Sequence, residues 1–278
     1  MSKTNKIMML LACAAAVLPY AVQAQEAAAE AEVSAVANLA VPSAYVWRGM
    51  TVEDDVVLQP DFGVTKGGFY VGWWGNMTLN DDITGHEMEF TEHDITVSYA
   101  TECPLTGAAV TFGLVNFDFP NIGLEDAEGN VSLVNDTREA FVTASFTDIV
   151  LAPTVTANYD FKEANGFYFN FGVSHSLELD EKVSLALAAS VGVADSDWGS
   201  YYFGEVSSGF NDYSVSATLP IALCENLTLT PGVQYVGLLE DAKDAVDASA
   251  DSLYYGDTEK FLGSVKLSDA SSGPPPPI

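Results

Sequence analysis

The feature that most constrains this chain is a two-residue alternation of apolar and polar side chains that recurs along most of its length. In Gly166–Leu179, Phe167, Phe169, Phe171, Val173, Leu177 and Leu179 fall on one face, and Tyr168, Asn170, Gly172, Ser174, Ser176 and Glu178 on the other. Successive side chains of a strand point to opposite faces, so this is the signature of a β-strand with one apolar face, not of a helix. The pattern repeats in Lys182–Ala194 and Phe69–Leu79. Carried along the chain, it predicts strands at Ala37–Arg48, Val56–Thr65, Phe69–Leu79, Glu89–Ala100, Ala108–Phe117, Arg138–Phe146, Leu151–Asp160, Gly166–Leu179, Lys182–Ala194, Asp212–Leu223, Leu227–Gly237 and Lys260–Ser268. Most have the length of a tilted membrane strand, about 9–11 residues.

Alternation alone suits a soluble sandwich as well as a membrane barrel. The connections separate the two. Those after even-numbered strands are short, such as Lys66-Gly67-Gly68, Asp180-Glu181 and Cys224-Glu225-Asn226. Most of those after odd-numbered strands are long and acidic, such as Asp118 to Thr137, Asp195 to Asn211 and Leu238 to Glu259. Tight periplasmic turns alternating with long external loops are the outer-membrane pattern. The fold expected is therefore all-β: a single closed antiparallel transmembrane β-barrel of about twelve strands.

The N-terminus has the layout of a secretory signal: Lys3 and Lys6, an apolar run Ile7–Leu18, Pro19, and a small-residue site Val22-Gln23-Ala24. Residues 1–24 are expected to be removed near Ala24, leaving a flexible leader at 25–36, the barrel at 37–268 and a Pro-rich tail at 269–278. Leu10-Leu11-Ala12-Cys13 only weakly resembles a lipoprotein box, because the apolar run before it is short. Downstream of the signal there is no apolar run of the roughly 20 residues that a spanning helix needs.

Both basic residues before Gln25 leave with the signal and no acidic ones do, so 8 of 10 Lys/Arg and all 39 Asp/Glu remain, a net charge of −31. Such a chain is not expected to bind nucleic acid through phosphate neutralisation. It repels anionic headgroups unless divalent cations bridge it to lipopolysaccharide. The partners expected are outer-membrane lipid and lipopolysaccharide, the barrel-assembly machinery and small polar solutes.

The segment Ser43-Ala44-Tyr45-Val46-Trp47-Arg48-Gly49 is followed by Gln59 and by Gly68, Tyr70, Gly72, Trp74 and Asn76 at alternating positions. In these residues the chain resembles the TorF-type porins of Gram-negative bacteria. Their first strand carries Ser, Tyr, Val, an aromatic residue, Arg and Gly, matched here by Ser43, Tyr45, Val46, Trp47, Arg48 and Gly49. The match is specific over Ser43 to Asn76 and diffuse beyond. The resemblance implies an outer-membrane barrel and brings no substrate with it. Such barrels end on a strand with a terminal aromatic residue that the assembly machinery reads. This sequence instead ends in Ser271-Ser272-Gly273, Pro274 to Pro277 and Ile278, so either the last strand stops near Ser268 and a short tail follows, or this C-terminus is altered.

If Tyr45 and Trp47 face lipid in an outer aromatic girdle, parity turns Arg48 into the lumen. Glu92, Asp94, Glu139 and Asp160 fall on lumen faces too. Arg48 opposing these acids would form a charged constriction. The same placement serves a salt-bridge network filling the lumen, and the sequence does not choose between them. Glu53-Asp54-Asp55, Asp81-Asp82, Glu125-Asp126 with Glu128, and Glu240-Asp241 read as solvated external acids without EF-hand spacing. His86, His93 and His175 form no catalytic set, since His175 and Ser176 point to opposite faces. Cys103 and Cys224 fall in turns six strands apart, too far for a disulfide. Trp47, Trp73, Tyr99, Tyr159, Phe167 and Tyr235 read as girdle residues. No catalytic residue, metal site or cofactor is expected. The function expected is passive diffusion of small polar solutes or ions with a weak cation preference; a closed structural barrel is the alternative, and an outer-membrane hydrolase is a more distant one.

Overall fold

The computed structural model describes residues 33–80, 88–121, 123–125, 131–204, 206–248 and 257–271. The expected signal, Asp81-Asp82, His86, Asp126, Glu128 and the Pro-rich run lie outside them. Twelve strands follow one another round the barrel: β1 (Val33–Pro42), β2 (Val57–Lys66), β3 (Phe69–Thr78), β4 (Phe90–Glu102), β5 (Ala109–Asp118), β6 (Thr137–Ser145), β7 (Thr154–Asp160), β8 (Phe167–Glu178), β9 (Ser184–Ala194), β10 (Gly209–Thr218), β11 (Leu227–Leu238) and β12 (Glu259–Ser271). Each pairs antiparallel with its sequence neighbours. β12 closes on β1 in register from Ala35 opposite Ser271 to Pro42 opposite Ser264. Closure leaves no long sheet edge free to recruit another chain.

Parity sorts the side chains as the sequence predicts. Val97 and Val71 on β4 and β3, and Leu114 on β5, are about half exposed on the outer wall, at 49%, 55% and 54%. The alternate residues Ser98, Gly72 and Gly113 face inward. An outer surface of this kind suits hydrocarbon, where strands can cross only if the ring closes every backbone hydrogen bond. Val97→Arg should therefore destabilise the folded barrel by about 2–4 kcal/mol. Urea titration in lipid vesicles measures this, and a loss under 1 kcal/mol would argue that this wall does not meet lipid.

Three expectations need correction. The first strand spans Val33–Pro42, not Ala37–Arg48, so part of the expected leader is already ladder. It stops because Pro42 has no N–H to continue the pairing; Ser43 makes the last bond, its N–H donating to the Gly263 carbonyl at 2.8 Å. The tenth strand ends at Thr218, and Ile221–Ala222 is a separate two-residue strand beyond Pro220. The last strand runs on to Ser271, three residues past Ser268.

The long connections are not featureless. α1 (Ser196–Phe203) is capped by the Asp195 side chain, which accepts from the Trp198 N–H at 2.9 Å. α2 (Glu240–Ala248) packs Ala242 and Val246 with Leu238 and Phe203. Both stand at the long-loop end. The short-turn end carries Gly67 and Gly68, whose φ angles of 55° and 87° suit the two-residue turn joining β2 to β3.

Candidate functional site

Beyond Pro42 the chain leaves the wall and turns into the lumen. Tyr45–Trp47 pairs antiparallel with Met50–Glu53, and Arg48-Gly49 forms the two-residue turn between them. Both turn residues have positive φ, 48° and 86°. Glycine takes this conformation freely, whereas arginine does so at a cost. Gly49 is needed for space as well, because a Cβ there would lie 2.6 Å from the Leu238 side chain and 2.7 Å from Asp212 Cβ. Met50, Thr51 and Glu53 are almost completely buried, at 1%, 1% and 0% exposure.

The hairpin bridges opposite walls. Ala44 and Val46 pack on Val236 of β11 and Leu262 of β12. Tyr45 lies 5.5 Å, centroid to centroid, from Trp74 of β3, and Trp47 lies 6.0 Å from Phe117 of β5. At the tip, Arg48 donates from Nη1 and Nη2 to the two carboxylate oxygens of Glu139 on β6, at 2.7 and 2.6 Å. In a ring of twelve, β12 and β6 are diametrically opposed. The first long connection therefore crosses the barrel from side to side.

Aromatic rings surround the tip. The guanidinium carbon of Arg48 lies 4.4 Å from the centroid of Trp47, 4.2 Å from that of Tyr168 on β8 and 5.5 Å from that of Trp198 on α1. Cation–π attraction and a bidentate carboxylate fit the planar guanidinium and would not be matched by lysine. Tyr168 OH donates to Asp212 Oδ1 at 2.8 Å. Asn211 Nδ2 donates to the same Asp212 oxygen and to the Arg48 carbonyl, at 2.9 and 3.0 Å. Asn211 and Asp212 are neighbours in sequence, yet both point inward. A bulge where β9 passes Gly192/Val193 makes this possible, since it adds one residue to β10 and re-aims a side chain.

A second bulge, opposite Asn76/Met77, does the same for Thr91 and Glu92 of β4. It completes a relay over three strands: Gln59 Nε2 donates to Asn76 Oδ1 at 2.9 Å, and Asn76 Nδ2 donates to Thr91 Oγ1 at 2.8 Å. Glu92 lies within reach of Tyr45 of the hairpin and of Asp94, two residues along the same face.

All five residues expected in a constriction thus face inward, but their roles differ. Arg48 and Glu139 meet directly, and Glu92 reaches the hairpin through Tyr45. Asp94 adjoins Glu92. Asp160 belongs instead to its own turn: it accepts from Thr137 Oγ1 at 2.6 Å and from the Lys162 and Glu163 N–H groups at 2.9 Å each. The premise that placed Arg48 does not hold, because Tyr45 and Trp47 lie in the lumen rather than in a lipid-facing girdle. Nor is Glu53 a solvated external acid; it is enclosed within the barrel. Glu53, Asp212, Asn211 and Trp198 are the site residues that sequence reasoning missed.

The outer half of the lumen therefore gathers Glu53, Glu92, Asp94, Glu139, Asp160 and Asp212 against Arg48. The nearby rim residue Lys260 is engaged by Asp54 and Asp257. Among the described residues no group of three His, Cys, Asp or Glu is arranged to hold a metal ion. Trp73, Tyr99, Tyr159, Phe167 and Tyr235 take outward positions in their strands. His93 sits beside Phe90 and Trp73, at 4.7 and 5.6 Å, on the outward side. His175 and Ser176 alternate faces on β8. Cys103 and Cys224, in the second and fifth short turns, are free thiols.

Comparison with known proteins adds the following. A family model described as "Bacterial protein of unknown function (Gcw_chp)" matches residues 24–268, which include the whole Ser43–Asn76 motif region. No curated protein matches the sequence. Among solved structures, the chain is similar to a NanC porin at 11% identity and TM-score 0.43, over 86% of this chain and 98% of that one. It is similar to the KdgM porin in complex with disordered oligogalacturonate at 8% identity and TM-score 0.45, over 86% and 99%. An outer membrane channel from Pseudomonas putida F1 gives 9% identity and TM-score 0.47, over 87% and 95%.

Proposed function

The chain belongs to the Gcw_chp family, and we propose that it works in the bacterial outer membrane as a narrow, cation-preferring channel for small polar solutes and ions. The observation that carries this reading is the acid-lined hairpin that crosses the outer half of the lumen between β12 and β6. A wide pore does not fit residues enclosed as fully as Met50, Thr51 and Glu53. In this reading ions pass beside the hairpin, where a gap of about 50 Å³ is bordered by Tyr45, Glu92 and Thr137. The acidic groups of the outer half outnumber its one guanidinium and favour cations there, because charge acts strongly where walls of low dielectric focus the field.

In this reading the short turns face the periplasm and the long acidic loops face outward. There the loops raise the local cation concentration and meet lipopolysaccharide through divalent ions. Export with loss of residues 1–24, and insertion by the barrel-assembly machinery, complete the route. The test is the diffusion potential of proteoliposomes across a KCl gradient. A potential of the potassium sign is expected, and Arg48→Ala should enlarge it by removing the central cation. A potential of the chloride sign would overturn the reading.

A second reading is favoured by the same burial. A hairpin that touches opposite walls could close the lumen altogether, leaving an envelope-anchoring barrel. Folded protein that passes neither ion would select it.

A further inference from the structure

Between the hairpin and the short turns the lumen opens into a cavity of about 800 Å³. We propose that this cavity is a binding vestibule for an uncharged, hexose-sized polyhydroxylated ring. Its volume is within the usual range for small-molecule sites, about 300–1,000 Å³.

Two aromatic side chains line its wall, Tyr70 and Phe141. A Cβ added at Gly63 or Gly72 would approach the Tyr70 side chain to 2.4 or 2.1 Å, so glycine at both positions is what lets that ring lie along the sheet. Phe141 stands directly across from Gly113 on the neighbouring strand and brings its ring edge against it, where an added Cβ would come within 2.9 Å of Phe141 Cε1. The Tyr70 ring, lying along the sheet, turns one face to the cavity. That face carries the negative part of the aromatic quadrupole and attracts the positively polarised C–H groups on the flat side of a sugar. β3 and β6, which carry the two rings, are three strands apart, about a quarter of the circumference.

The polar lining points to an uncharged solute. Asp61 and Lys266 are the charged residues of the cavity, one of each sign. Asn38 Nδ2 donates to Asp61 Oδ2 at 2.7 Å, which leaves the other carboxylate oxygen to accept from a ligand. Lys266 makes no ion pair among the described residues, so its donors are available. Charged groups make stronger hydrogen bonds to hydroxyls than neutral ones do, and Thr96 and Thr111 add hydroxyls of their own. The acidic outer half would favour cations, whereas the lining of this cavity carries no net charge to select an ion.

This inference deepens the channel reading by naming a solute, and it depends on that reading only for the route by which the solute arrives. The test is isothermal titration of the detergent-folded full chain with glucose and galactose, beside glucuronate and glucosamine as charged counterparts. Saturable binding of a neutral sugar is expected. Tyr70→Ala should weaken it about tenfold while Tyr70→Phe retains it, and the charged sugars should bind no tighter. No saturable heat from either neutral sugar, tighter binding of a charged one, or unchanged affinity in folded Tyr70→Ala would each overturn it. If heat-modifiable gel mobility shows that Tyr70→Ala does not fold, Phe141→Leu carries the same expectation. Ion conduction without sugar binding sinks this inference alone, and binding without conduction sinks the channel reading alone.

Discussion

Replacing Glu139 with alanine will destabilise the folded barrel by about 3–5 kcal/mol, the largest loss expected from one substitution on the lumen face. The Arg48 and Glu139 side chains are 11% and 2% exposed. Removing the carboxylate leaves a guanidinium that cannot shed its proton, enclosed by Trp47, Tyr168 and Trp198. The cost is that of a buried unpaired charge, much larger than the net value of the pair. The double variant Arg48→Met, Glu139→Met should accordingly lose less than Glu139→Ala alone, since apolar groups can replace a buried ion pair at little cost. Urea titrations in vesicles, followed by heat-modifiable gel mobility, measure both. Equal losses in the two variants would mean that the hairpin tip is not clasped to β6.

Removing residues 45–53 and joining the ends through a short Gly-Ser linker will raise single-channel conductance several-fold. The hairpin reaches the wall on β3, β5, β6, β11 and β12, so its loss removes the only described segment that crosses from wall to wall above the 800 Å³ vestibule and leaves α1 at one side of the mouth. Cation preference should weaken at the same time. Glu92, Asp94, Glu139, Asp160 and Asp212 stay on the wall, but ions passing farther from them are screened over a Debye length of about 10 Å at 0.1 M salt. Unchanged conductance in folded protein would place the main barrier elsewhere.

The barrel was legible because a half-apolar strand leaves a period of two, and because loop length followed strand parity. Even the inward positions of Glu92, Asp94, Glu139 and Asp160 came from counting alternate residues. The hairpin was not legible for the same reason. Tyr45 and Trp47 fall on the odd-numbered apolar series of Leu39 and Val41, with Ser43 the one polar residue between them, so a parity count carries through the point where the chain leaves the wall. Two local signals were there to use: Pro42, which cannot donate to a ladder, and Arg48-Gly49, a two-residue turn of the positive-φ kind. Glu53 was read as surface because charge is usually solvated. Asn211 and Asp212 escaped notice because a bulge breaks the parity on which the method depends. Trp198 sat in a connection read as loop, although Asp195 three residues before it is a good helix cap.

The central claim is that the first long connection narrows the lumen without sealing it. Single-channel recording of detergent-folded, bilayer-inserted protein tests this most directly. The account predicts discrete steps of small conductance, well below those of the variant lacking residues 45–53. Large steps from the unaltered chain would place the hairpin outside the lumen. No steps at all, from protein whose mobility shows it folded, would mean that the hairpin closes the barrel.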